Sequence, residues 1–166
     1  MYWFTADAHY GHANIIKYCN RPFIDVHHMN RVIRNNFNSV VKNNDITVHI
    51  GDFCWAHNKK EAEKYIRRLN GNHIFVKGSH DSWLPNTSPY MWRKMIEGQF
   101  IVCCHYAMRT WERAYHGSWQ LYGHSHGRLD GIGKQYDVGV DKNNFYPVSF
   151  EQISIILGEW MYGGYI

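Results

Sequence analysis

The sequence predicts an α/β sandwich, because short β-rich runs alternate with amphipathic helical stretches and the chain is apolar enough to cover both. Hydrophobic residues make up 45% of the 166 and charged residues 19%, so burial can offset the entropy of ordering the chain. That length suits one domain, expected to span residues 1–166.

Five runs read as buried strands: 2–6, 46–50, 73–77, 100–104 and 119–122. Each is rich in Val, Ile, Phe, Tyr or Trp and each stops at a polar cluster. Between them, Val26, Met29, Ile33, Phe37 and Val40 recur at spacings of three and four, which predicts a helix opening after Asp25 as N-cap. Asn58 and Glu61 have capping-box spacing ahead of Ala62, Tyr65, Ile66 and Leu69. Ser149 and Gln152 repeat the device before Ile153, Ile156 and Leu157.

Composition excludes several classes of function. No apolar run approaches the ~18–20 residues of a membrane span, and Met1-Tyr2-Trp3-Phe4 lacks the basic start of a signal peptide, so no membrane partner and a cytoplasmic location are expected. Cys19, Cys54, Cys103 and Cys104 have no CxxC spacing, which argues against disulfides and a thiolate zinc site. A net charge of +4 tolerates a phosphate-bearing partner, but no Lys/Arg stripe marks a nucleic-acid groove.

The chemistry lies at the strand ends. Every predicted strand is followed by candidate ligands: Asp7-Ala8-His9, Gly51-Asp52, Gly78-Ser79-His80-Asp81, His105 and Gly123-His124-Ser125-His126. In α/β sheets, ligand sites form at the carboxyl ends of strands, so these groups should converge on one edge. The pairs Asp7/His9 and His124/His126 sit two residues apart, a spacing that an extended backbone aims to one side. Carboxylates and imidazoles without thiolates suit Mn²⁺, Fe or Zn²⁺. Asp52, alone at its strand end, is the natural anion to bridge two cations.

The motif order DxH, GD, G[NS]HD, H, GHxH resembles the calcineurin-like metallophosphoesterase superfamily, particularly its small single-domain bacterial and phage members. The segment 138–149, VGVDKNNFYPVS, is similar to that subgroup too. The resemblance implies a four-layer α/β/β/α metallophosphoesterase sandwich and two divalent metal ions. Asp7, His9 and His126 with bridging Asp52 would hold one ion; Asp52, His105 and His124 would hold the other. Where the family has Asn, this chain has Ser79, a shorter and weaker donor, so the second ion is expected to bind loosely or through a water. Asn72 in Gly71-Asn72-His73 does not replace it, because that triplet precedes its strand.

By the same resemblance His80 is the acid for the leaving group and Asp81 its orienting carboxylate. His12, Trp55, Trp83, Tyr106 and Arg109, with Trp111, are candidates for the cleft wall, stacking a base and pairing a phosphate. His49 reads as a core residue of its strand; His27, His28, His57, His73 and His116 carry no spacing signal. The expected activity is hydrolysis of phosphomonoesters or phosphodiesters by metal-activated water. The expected partner is a small phosphate ester such as a nucleotide, with nucleic acid a further candidate and the oligomeric state left open. An alternative is a metal-poor member of the same fold that serves as a protein or nucleic-acid binding module, a reading that only Ser79 supports.

Overall fold

Among the described residues, eight strands form two four-stranded sheets, three strands more than the sequence marks. The computed structural model describes residues 1–158, so the expected domain end at 166 lies outside the described residues. The first sheet has β1 (Tyr2–Thr5), β2 (Ile46–Ile50) and β3 (Asn72–Val76) parallel, with β8 (Val148–Ser149) antiparallel at the edge beside β1. The second runs β4 (Met91–Ile96), β5 (Gln99–Cys104), β6 (Trp119–Tyr122) and β7 (Gln135–Asp137), with only the β4–β5 pair antiparallel. The unmarked strands are those without an apolar signature. β4 is an edge strand whose exposed Arg93 and Lys94 interrupt any hydrophobic pattern; β7 and β8 are three and two residues long.

The predicted helix caps are all present. α2 (Val26–Val40) begins where the Asp25 carboxylate accepts the His28 N–H at 2.7 Å. α3 (Lys59–Ile66) begins where Asn58 accepts the Glu61 N–H, while the Glu61 carboxylate accepts from His57. α4 (Phe150–Gly158) has the full reciprocal box, with Gln152 N–H on Ser149 Oγ and Ser149 N–H on Gln152 Oε1. Such caps contribute about 1 kcal/mol each. α1 (Ile15–Tyr18), a single turn, carries no such cap.

Both faces of the first sheet are buried, which explains why its strands read as unbroken apolar runs. Phe4, Val48, Ile50 and Val76 meet Ile101, Cys103, Trp119 and Leu121 of the second sheet, and Ile153 and Leu157 of α4 join this core. On the other face, Trp3 packs with Met29, Ile33 and Phe37 of α2 and Ala62 of α3. This is the four-layer α/β/β/α sandwich, with an abbreviated layer outside the second sheet. There the loop 105–118, with one 3₁₀ turn at Ala114–His116, lies over Gln120 and Gln135 through bonds to Tyr106 and Met108. No helix among the described residues is long and apolar enough to cross a membrane.

The register places the chemistry. Thr5 pairs His49 and Ile50 pairs Val76, so β1, β2 and β3 end in a row; Cys103 pairs Leu121, so β5 and β6 also end together. Beyond the strand ends, Gly123 N–H donates to His105 O within the second sheet, and Ala6 pairs Gly139 to join the two sheets.

Candidate metal centre

Five candidate ligands occupy left-handed backbone: Asp7 (φ 57°), His9 (φ 50°), Asp52 (φ 54°), His124 (φ 65°) and His126 (φ 50°). Non-glycine residues there cost of order 1 kcal/mol or more, and persist only where surrounding structure holds them. This corrects the expectation that an extended backbone aims the two pairs. β1 stops at Thr5 and β6 at Tyr122, and the side chains converge because the chain turns sharply at each ligand. Gly78 and Gly123 permit the crowding: a Cβ on Gly78 would lie 2.4 Å from Asp52 Oδ1, and one on Gly123 would lie 2.7 Å from Asp7 Oδ2.

Two groups of three result. Asp7, His9 and His126 each offer a donor atom within 4.8 Å of the others, and so do Asp52, His105 and His124. Asp52 lies between them, with Oδ2 3.6 Å from His9 Nε2 and 3.3 Å from His105 Nε2. Asp7 Oδ1, His9 Nε2 and His105 Nε2 are buried without a well-aligned hydrogen bond. Buried polar atoms are nearly always satisfied, so orphaned lone pairs in one cluster fit a divalent cation. The other atoms of these side chains are engaged. Asp7 Oδ2 accepts the His124 N–H at 2.8 Å, His105 Nδ1 meets the Ile50 carbonyl at 2.9 Å, and His126 Nδ1 meets Asp141 at 2.7 Å. Holding one ring nitrogen frees the other to ligate.

The charge balance without a cation is frustrated. Burial pushes the Asp7 carboxyl up to about 7 against the pull of His105 and His126, and drives the His9 imidazolium down to about 2. Burial opposes charge on Asp52 and His105 as well, but their mutual proximity outweighs it, holding Asp52 below the usual carboxylate range and raising His105 to about 9. A cation would displace that proton, so binding should release acid.

Around the cluster the sequence candidates separate. Ser79 Oγ donates to the Asp52 carboxylate, 3.1 Å from Oδ2, and the His80 N–H donates to Oδ1 at 2.8 Å. The His80 ring is exposed, 5.4 Å from the His9 ring and 5.8 Å from His12. Asp81 does not orient it. Oδ2 accepts from Asp52 and Gly78 N–H, and Oδ1 accepts from Phe53 N–H and Trp83 Nε1, leaving the carboxylate turned into the protein. Trp83 is likewise core and not cleft wall, buried against Phe53 and Phe75. Trp111 donates Nε1 to Ser118 O, within its own loop. Trp55 and Tyr106 do border the cluster. Trp55 stacks on His12 at 4.4 Å, and Tyr106 meets His124 edge-on at 4.7 Å; Arg109 is exposed beyond them.

Three supporting residues escaped the sequence reading. Asp141 holds His126 and is itself paired with buried Arg21 at 2.8 Å, while Arg21 also donates to the Asp7 and Ala8 carbonyls. Asp137 accepts from Ser125 Oγ and Gly127 N–H, fixing the loop that presents His124 and His126. Charged residues inside the apolar run Tyr136–Val140 and just after it were the available signal. The structure also places Cys19 beside His126 and Asp141, closer to a ligand set than its spacing suggested.

No family model matches the chain. The uncharacterized protein MJ1445 of Methanocaldococcus jannaschii is 33% identical over 161 residues, covering 91% of this chain and 88% of that protein. A protein of unknown function from Aquifex aeolicus, AQ665, superposes with a TM-score of 0.73 at 24% identity, over 94% of this chain and 98% of its own. A single mutant (D62A) of Vps29 from Entamoeba histolytica superposes with a TM-score of 0.49 at 18% identity, over 83% and 72%.

Proposed function

We propose that this chain, which belongs to the same family as the uncharacterized protein MJ1445, is a metal-dependent phosphoric ester hydrolase of the calcineurin-like metallophosphoesterase type, with two divalent cations, Mn²⁺, Fe or Zn²⁺. The observation that carries this reading is the pair of three-residue groups, with Asp52 of one only 3.6 Å from His9 of the other, and with buried donor atoms at Asp7, His9 and His105 that lack a well-aligned hydrogen bond. Asp7, His9 and His126 would hold one ion, His105 and His124 the other, with Asp52 common to both. When bound, such ions activate water as a nucleophile and neutralise charge developing on the phosphate.

The protein's own groups supply the rest. Asp52 keeps its negative charge between the two sites, offsetting cation repulsion. His105 and His126, each held through Nδ1, keep Nε2 aimed at the cluster. His80, exposed at the cleft beside His9 and His12, would give a proton to a departing oxygen. Ser79 supports Asp52 from the side where the family has Asn, so this chain strengthens the bridge at the expense of a ligand. Metal analysis, with turnover of p-nitrophenyl phosphate and bis-p-nitrophenyl phosphate in added Mn²⁺, tests the assignment. Neither metal nor turnover would return it to the binding-module reading.

A further inference from the structure

No basic stripe is visible in the sequence, yet the packing of α2 beside α3 assembles one. Arg31 and Arg34, neighbours on α2, and Arg68, just past α3, line a pocket of about 120 Å³ with Tyr10, Asn30 and Tyr65. None of these arginines has an ion-pair partner among the described residues. α2 carries no carboxylate; on α3, Glu63 is taken by Arg67 at 2.8 Å and Glu61 caps the helix start through His57 and Asn58. Lys60 and Lys64 continue the positive surface along α3, beside the Arg67–Glu63 pair. Unneutralised guanidinium groups around a concave site repel one another until an anion fills it, and their fork geometry suits phosphate.

A lone phosphate would need only the pocket, but the surface continues toward the metal cluster. The Gly11 N–H donates to Asn30 Oδ1 at 3.0 Å on the pocket side. Gly11 also lines a groove of about 430 Å³ with Tyr18, Trp55 and His80. In that groove Trp55 is 47% exposed and Tyr18 65% exposed. Exposed flat rings beside a basic track are what unpaired bases on a phosphate backbone require; a duplex hides those faces. We propose that the Arg31, Arg34 and Arg68 pocket binds a backbone phosphate of single-stranded nucleic acid, with a neighbouring base stacked at Trp55. This names a substrate class for the hydrolase reading above and rests on it, while the binding itself is testable without turnover.

The probe is a labelled oligothymidylate with hydrolysis-resistant phosphorothioate linkages, titrated at several salt concentrations. R31Q/R34Q should raise Kd about tenfold at low salt and make the salt slope shallower by about 0.7, the contribution of one phosphate contact on a single strand. K42Q/K94Q, which removes the same charge from exposed positions elsewhere, should leave both nearly unchanged; Trp55→Ala should weaken binding without altering the slope. Equal losses in the two double variants would overturn the pocket assignment. Competition by thymidine monophosphate or duplex DNA as strong as by the oligonucleotide would overturn the single-strand assignment. Turnover of bis-p-nitrophenyl phosphate by the wild type keeps the two readings apart. Turnover with no oligonucleotide binding removes only this inference, and binding without turnover removes the hydrolase reading on which its role as substrate depends.

Discussion

The Asp81 carboxylate accepts the backbone N–H of Asp52 at 2.7 Å, across 29 positions of sequence. Asp81 is the chain neighbour of His80, yet in space it serves Asp52. It fastens the loop after β2 to the loop after β3, and so sets where the shared carboxylate stands.

Asp81→Asn should therefore act on stability and on metal affinity. An amide cannot accept at both ends, so at least one of the four donors around Asp81 is left buried and unpaired, at a cost of about 1–3 kcal/mol. Thermal denaturation should show a lower Tm, and metal titration a weaker site. A variant as stable as wild type would mean that these bonds contribute nothing net.

Asp52→Asn should nearly abolish both metal retention and turnover. Asp52 Oδ2 is within 3.6 Å of His9 Nε2 and within 3.3 Å of His105 Nε2, so its charge acts on both halves of the cluster. Metal content and kcat/KM of the purified variant check this directly.

Ser79→Asn should tighten the half of the cluster served by His105 and His124. The Ser79 hydroxyl is spent on Asp52, whereas an amide carbonyl adds a donor; supporting ligands commonly change metal affinity by ~10–100-fold. Calorimetric titration of metal-free protein should show two unequal sites becoming more nearly equal. Two tight, equal sites in the wild type would refute the idea.

His80→Asn should slow esters with alkoxide leaving groups far more than nitrophenyl esters. General acid catalysis contributes ~10²–10⁴-fold, and nitrophenolate departs with little help. Asp81→Asn should not reproduce that bias, since Asp81 makes no contact with the His80 ring. Equal losses on both esters in His80→Asn would assign the ring to phosphate binding instead.

Acid should destabilise the fold through His49. It is buried against Phe37, Phe53 and Phe75, and its Nε2 lies 3.1 Å from His73 Nδ1; burial first, then His73, holds its pKa well below the ordinary value. A depressed folded pKa means that the unfolded chain takes up the proton first. The contribution is therefore complete above about pH 6.5 and declines as pH falls below it, by up to about 1.4 kcal/mol per pH unit. Denaturant titrations at neutral and mildly acid pH should show a smaller acid loss in His49→Phe than in wild type. An identical loss would place the acid sensitivity elsewhere.

Sequence alone determined what is local. Apolar periodicity marked α2, α3 and α4, and apolar runs marked β1, β2, β3, β5 and β6, because a face that must be buried has to recur with the period of its element. Capping side chains bond two or three residues away, so Asp25, Asn58 and Ser149 were legible as helix starts. The candidate ligands were legible because parallel strands share a direction, so residues just past their ends must meet. Tertiary structure decided whatever depends on orientation at a turn. Left-handed backbone at Asp7, His9, Asp52, His124 and His126 aims the side chains, and nothing in their one-dimensional spacing encodes it. The same holds for Asp81 turning from His80 to Asp52, for Trp83 entering the core, and for Arg21 reaching Asp141 across 120 positions. The basic pocket belongs here as well. Arg31, Arg34 and Arg68 form no run in the chain, and they share a surface only because two helices bury their apolar faces on one sheet.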